Sequence, residues 1–191
     1  MPDLIVIPAR YGSTRLPGKP LIPIAGRLLL ERVAAIAMEA AKSLGDVEVL
    51  VATDDARIRT AATSLGLEAV MTSPDITSGS GRALAATRAA GRDPALIVNL
   101  QGDAPFTSPV HIVEIVRHAR ASAADVTTPV VQLDWPRLDA LRAHKQSTPA
   151  SGTTCMRNAA GRALWFSKDV LPFMRNEAAL RALGTDRKSV V

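Results

Sequence analysis

Arg10, Arg15 and Lys19 are interleaved with Gly12, Ser13 and Gly18 in the segment Pro8-Ala9-Arg10-Tyr11-Gly12-Ser13-Thr14-Arg15-Leu16-Pro17-Gly18-Lys19-Pro20. Small residues expose backbone N–H groups that can cradle phosphate oxygens. The three cations can neutralise a triphosphate and a departing pyrophosphate. The spacing is not that of a Walker A loop: five residues separate Gly12 from Gly18, and Pro20 stands where Ser or Thr would meet Mg²⁺. Nor is it GxGxxG. An ordinary surface loop with solvated Arg and Lys is the alternative that spacing leaves open.

A second candidate is Asp103 in Gln101-Gly102-Asp103-Ala104-Pro105. Glycine before it permits close backbone approach and proline after it stiffens the exit. Magnesium takes one or two carboxylates plus substrate phosphate oxygens, so one aspartate facing a polyphosphate suffices for partial coordination. A turn or capping role is the alternative. Thr53-Asp54 could hydrogen-bond a base or ribose, and Asp54 could equally cap a helix. Ser78-Gly79-Ser80-Gly81-Arg82 is a polar loop ending in a cation. His111, His118 and His144 lack metal-ligand spacing, and no nucleophile, base and orienter stand together.

These loops need a scaffold, and the pattern around them supplies one. Leu4 to Ile7 is an unbroken aliphatic run, the mark of a strand buried on both faces. Helical spacing follows over 28–43 with Gly45 beyond, then a strand over 47–53. Asp54-Asp55 opens a helix to about Leu65, and 68–71 is a short strand. A helix over about 82–90 leads to an apolar strand at 95–98. Further on, 109–120 reads as a helix, 125–133 as a strand, and 163–166 as a short apolar segment. Strands alternating with crossover helices imply an α/β, doubly wound, mostly parallel sheet, with ligands bound at the carboxyl ends of the strands.

Composition narrows the classes. A chain of 191 residues, 47% hydrophobic, buries a sizeable core and suits one domain, or one domain and a small lobe. The net charge of +5 admits an anionic partner. Arginine is scattered and only six aromatic residues are present (Phe 3, Trp 2, Tyr 1), which argues against nucleic acid. Cys155 is the single cysteine, so no internal disulfide forms. The opening apolar run is too short for a signal peptide, and no stretch reaches the roughly 18 apolar residues of a membrane span. The expectation is a cytoplasmic protein with no membrane or nucleic-acid partner.

The motifs Ile7 to Leu21, Val51-Ala52-Thr53-Asp54, Thr77-Ser78-Gly79-Ser80, Val98 to Asp103 and Ala163-Leu164-Trp165-Phe166-Ser167 together resemble the 3-deoxy-manno-octulosonate (Kdo) cytidylyltransferases, in family order across nearly the whole chain. The resemblance implies a Rossmann-like nucleotidyltransferase fold and a homodimer. It implies Mg²⁺-dependent transfer of CMP from CTP to Kdo for lipopolysaccharide synthesis, without a covalent enzyme intermediate. By that resemblance Arg10, Ser13, Arg15 and Lys19 hold the triphosphate, and Pro8, Thr53, Asp54, Ser80, Arg82 and Gln101 contact the nucleotide. Asp103 binds Mg²⁺. A cytidylyltransferase for a different sugar acid, or an inactive CTP-binding fragment, is the alternative. Gly81 stands where the family has an acidic residue, Ala104 where it has Glu, and Thr154 where many members have Lys. The resemblance further implies one nucleotidyltransferase domain over 1–191, incomplete at its C-terminal end. It lacks the family's His-(Leu/Ile)-Gly-(Ile/Leu)-Tyr and Val-Asp-Thr-Pro segments, and Asp186 does not match the latter.

Overall fold

A computed structural model describes residues 1–12 and 16–182. The chain divides into two compact units, 1–127 and 128 onward, where its length allowed one domain or one domain with a small lobe.

In the first unit, β1 (Asp3–Ala9) lies between β4 (Val47–Thr53) and β6 (Ile97–Asn99), with β5 (Glu68–Met71) outside β4, and every pairing is parallel. A small hairpin, β2 (Pro23–Ile24) and β3 (Arg27–Leu28), precedes the first helix. The order β5-β4-β1-β6 means the chain winds outward to one side of β1 and then returns to its other side. Such a reversal opens a crevice at the carboxyl ends of the two strands that flank it. Here those strands are β1 and β6.

Strand residues alternate between two cores, as the two-residue strand period requires. Ile5, Ile7 and Ala9 pack in one with α1 (Leu29–Leu44), α2 (Ala56–Ser64) and α4 (Pro109–Arg120). Leu4 and Val6 pack in the other with Ala83 and Ala86 of α3 (Gly79–Ala89). Layers on both faces explain why β1 carries no alternation of polar and apolar residues. Helix α1 buries Leu29, Val33, Ala37 and Leu30, Ala34 as one stripe at helical spacing, with Glu31 early and Lys42 late, matching the helix dipole. Asp55 caps α2 by accepting from the Arg57 backbone N–H at 2.9 Å.

The second unit holds α5 (Trp135–Ser147), an antiparallel pair β7 (Thr154–Arg157) and β8 (Ala163–Ser167), and α6 (Glu177–Ala182). Glu177 accepts from both Arg142 (2.8 and 2.9 Å) and Arg181 (2.7 and 2.9 Å), which clips α6 to α5.

Most expected elements are present. The strand expected over 125–133 is instead irregular, with Val126 and Val131 exposed and no ladder partner among the described residues. Helix α3 begins at Gly79, three residues earlier than expected, because the Ser78 side chain accepts from the Gly81 N–H at 3.0 Å. No helix among the described residues is long and apolar enough to cross a membrane.

Candidate active site

A cleft of about 660 Å³ opens at this reversal, lined by Pro8 to Arg10, Leu16, Lys19 and Pro20 at and after the end of β1, by Thr77 to Gly79 and Arg82 at α3, and by Gln101 to Asp103 after β6. Its floor depends on Gly102. A Cβ on that buried residue would lie 2.7 Å from the Pro8 carbonyl oxygen, so only glycine lets the two strand ends come together this closely.

That approach brings Lys19 and Asp103, 84 positions apart in sequence, to an ion pair of 2.8 Å. Both side chains remain accessible, at 37% and 55%. Arg10 is exposed beside them on the same cleft. An ion pair this open contributes little to stability, because water screens it. It leaves a cation and a carboxylate side by side and exchangeable for ligand.

Behind Lys19 the phosphate-type loop is held from its base. The Tyr11 carbonyl accepts from the Gly18 N–H at 2.9 Å, closing the loop. Gly18 sits at φ +69°, where a Cβ would meet the Tyr11 ring at 2.9 Å, so both backbone handedness and space require glycine there. The Arg57 guanidinium lies 3.5 Å over the Tyr11 ring, and Asp55 grips Arg57 at 2.7 and 2.9 Å. Hydrogen bonding from Arg57 holds the Asp55 carboxyl down at about 2. The Tyr11 N–H donates to Asp54 at 3.3 Å.

Across the cleft, polar side chains form a relay. The Gln101 amide nitrogen donates to Asn99 at 2.9 Å, and the Asn99 amide nitrogen donates to Ser80 at 3.0 Å. Gly79 makes room for it, since a Cβ there would meet the Gln101 amide at 2.9 Å. Asn99 was missed as a functional residue in the sequence. The available signal was its two-residue separation from Gln101, which puts both on one side of an extended chain.

Of the expected site residues, Pro8, Arg10, Lys19, Arg82, Gln101 and Asp103 line the cleft. Thr53, Asp54 and Ser80 are not among the lining residues, and Ser80 is exposed. Thr53 is fully buried and its hydroxyl accepts from the Asp55 N–H at 3.2 Å. Ser13 and Arg15 lie outside the described residues. A Cβ at Gly81, where the resembled family carries an acid, would come within 2.8 Å of the capping Ser78 hydroxyl.

The residues present fit a magnesium ion held partly by substrate. Among the described residues no group of three or more His, Cys, Asp or Glu could cage a metal. One accessible carboxylate facing a cleft lined by Arg10 and Lys19 matches the preference of Mg²⁺ for one or two carboxylates with phosphate oxygens and water.

The family profile described as cytidylyltransferase matches residues 4–189. The 3-deoxy-manno-octulosonate cytidylyltransferase of Maricaulis maris (strain MCS10) is 47% identical over 176 residues, covering 92% of this chain and 67% of that protein. Its counterpart in Thioalkalivibrio sulfidiphilus (strain HL-EbGR7) is 37% identical over 177 residues, covering 90% and 65%. The chain therefore spans about two thirds of the length of these curated relatives. Among solved structures, CMP:2-keto-3-deoxy-manno-octonic acid synthetase complexed with CTP superposes with a TM-score of 0.73 at 33% identity, covering 93% of this chain and 68% of the other.

Proposed function

From the premise that this chain belongs to the cytidylyltransferase family, we propose that it transfers CMP from CTP to 3-deoxy-manno-octulosonate. A hydroxyl oxygen of the sugar acid bonds to the α-phosphorus of CTP and gives up its proton to solvent as the bond from that phosphorus to the oxygen bridging the β-phosphate breaks, releasing pyrophosphate. The observation that carries this reading is the meeting of Lys19, Arg10 and Asp103 on one cleft at the carboxyl ends of β1 and β6. Cations there stabilise the charge that builds on the leaving pyrophosphate and hold the reacting groups in line.

Lys19 and Arg10 bind triphosphate oxygens. Ser13 and Arg15 join them by their place in the same motif. Asp103 would hold Mg²⁺, which when bound supplies further charge neutralisation on the phosphates. Lys19 is hydrogen-bonded to Asp103. Substrate phosphate draws the lysine off and frees the carboxylate. Gln101, fixed by Asn99, faces the nucleoside end of the cleft. No side chain needs to become a covalent carrier. The reading extends to a cytoplasmic homodimer that supplies an activated sugar acid for lipopolysaccharide.

Two substitutions test it. Asp103→Asn abolishes metal-dependent turnover, and Lys19→Ala weakens CTP binding by on the order of tenfold or more, as loss of a charged hydrogen bond does. Unchanged kinetics in both variants would refute the assignment. A panel of sugar acids beside Kdo separates this reading from a cytidylyltransferase of other specificity.

A further inference from the structure

Arg82 is a charged side chain in a place where charge is seldom found. The residue is 2% exposed, and it lies along the cleft wall while pointing its guanidinium into the protein. One terminal nitrogen, Nη2, donates to the Asp54 carboxylate at 3.0 Å and to the Ile76 carbonyl at 2.8 Å. The other, Nη1, donates to the Thr72 hydroxyl at 2.6 Å and reaches the Ser73 carbonyl at 3.4 Å. A buried guanidinium satisfied in this way by four partners is not free to reach a nucleotide.

Its partners fall on separate segments. Thr72, Ser73 and Ile76 belong to the loop from β5 to α3, whose end at Thr77 to Gly79 forms one wall of the cleft. Asp54 directly follows β4, and its other oxygen, Oδ1, accepts from the backbone N–H of Tyr11. Tyr11 in turn closes the phosphate-type loop onto Gly18. Arg82 thus reaches that loop through one intervening carboxylate, and the two walls of the cleft share a single buried ion pair.

We propose that Arg82 is a positioning residue, which sets the place of the triphosphate loop by orienting Asp54 against the Tyr11 N–H, and does not itself contact the nucleotide. The ligand half of this inference rests on the cytidylyltransferase reading, whereas the coupling between Arg82 and Tyr11 does not.

The chain has one tyrosine, so protein labelled with [¹⁵N]tyrosine gives a single backbone amide resonance, that of Tyr11. Arg82→Lys keeps the charge beside Asp54 but loses the planar fork that also fixes Thr72 and Ile76. It is expected to shift the Tyr11 resonance and to raise the dissociation constant for Mg·CTP by on the order of tenfold. Thr72→Val removes one anchor of the guanidinium, together with the hydroxyl's 3.1 Å bond to the Thr53 carbonyl, and leaves the side chain of Asp54 and the Tyr11 N–H in place, while the Thr72 N–H still holds the Thr53 carbonyl at 2.8 Å. It is expected to move both readouts in the same direction by less, and it decides the matter if Arg82→Lys does not fold. Bracing of the β5–α3 loop alone would lower thermal stability and leave Tyr11 where it is. In a folded variant, either an unmoved Tyr11 resonance or an unchanged Mg·CTP affinity overturns the proposal. If the parent chain binds no Mg·CTP, the nucleotide reading fails, and the Tyr11 resonance still tests the coupling.

Discussion

Gly102→Ala should damage both stability and chemistry, and the structure gives the size of the conflict. The added Cβ would sit 2.7 Å from the Pro8 carbonyl oxygen, and ordinary contact begins at 3.4 Å, so the two segments must part by about 0.7 Å (3.4 − 2.7). Pro8 cannot readily yield, because it is paired with Ala52 within the parallel ladder of β1 and β4. Leu100 donates to the Val6 carbonyl at 3.0 Å, which fixes the chain on the other side of the conflict as well. Movement therefore falls on 101–103 and carries Asp103 away from Lys19. Overpacking of this kind costs about 1–3 kcal/mol, and in a chain of this size each 1 kcal/mol lowers Tm by about 2–4 °C. A misplacement approaching 1 Å costs on the order of 100-fold in rate. Thermal unfolding and the kcat for pyrophosphate release measure the two effects. Gly79→Ala is the control: its Cβ meets the far end of the Gln101 side chain, which can turn away, so it should lose little stability. A Gly102→Ala protein with parental Tm and parental kcat would refute the reasoning.

Gly18→Ala forces a left-handed φ of +69° on a residue with a Cβ. It should lose about 1–2 kcal/mol in thermal unfolding and also weaken CTP binding through the displaced Tyr11 ring. Asp55→Ala removes the cap of α2 and should cost about 1 kcal/mol in denaturant unfolding, while Asp55→Asn should restore most of it. In the second unit, hydrogen bonds first from Arg142 and then from Arg181 lower the Glu177 carboxyl from 4.5 to about 2. A depressed carboxyl stabilises fully above its unfolded value and loses that contribution as protons bind, so the effect disappears between pH 4.5 and about 2. Melting curves across that window should be less pH-dependent in Glu177→Gln than in the parent, and identical slopes would contradict this.

The first unit was largely legible because burial on both faces leaves a simple record. Leu4 to Ile7 and Val49 to Ala52 are apolar without interruption, and α1 repeats its buried residues at helical spacing. Sequence also placed Lys19 and Asp103 on loops at the carboxyl ends of strands of one parallel sheet, though the order of those strands, which makes the loops adjoin, came from the fold. It could not show which candidates face the cleft. Asp54 and Arg82 are polar residues at strand and helix ends whether they bind ligand or each other, and only the fold reveals that they bind each other.

The second unit was harder to read. The apolar pattern of 125–133 suits a strand, but a strand exists only with a partner, and hydrophobicity names none. Helix α5 did carry signals, Asp134 as its cap and Pro136 in its first turn. Its face is mostly polar, burying Leu138 alone, and so it lacked the apolar stripe that marks α1. The start of α3 was hidden by Gly79 and Gly81, poor helix formers whose contribution here is space for Gln101 and for the Ser78 cap.

The central claim is most directly tested by pyrophosphate release from the purified chain supplied with CTP, Mg²⁺ and 3-deoxy-manno-octulosonate, each omitted in turn, with circular dichroism to verify folding. The account predicts release only when all three are present. No release from a folded chain in the complete mixture, or release that persists without the sugar acid, would contradict it.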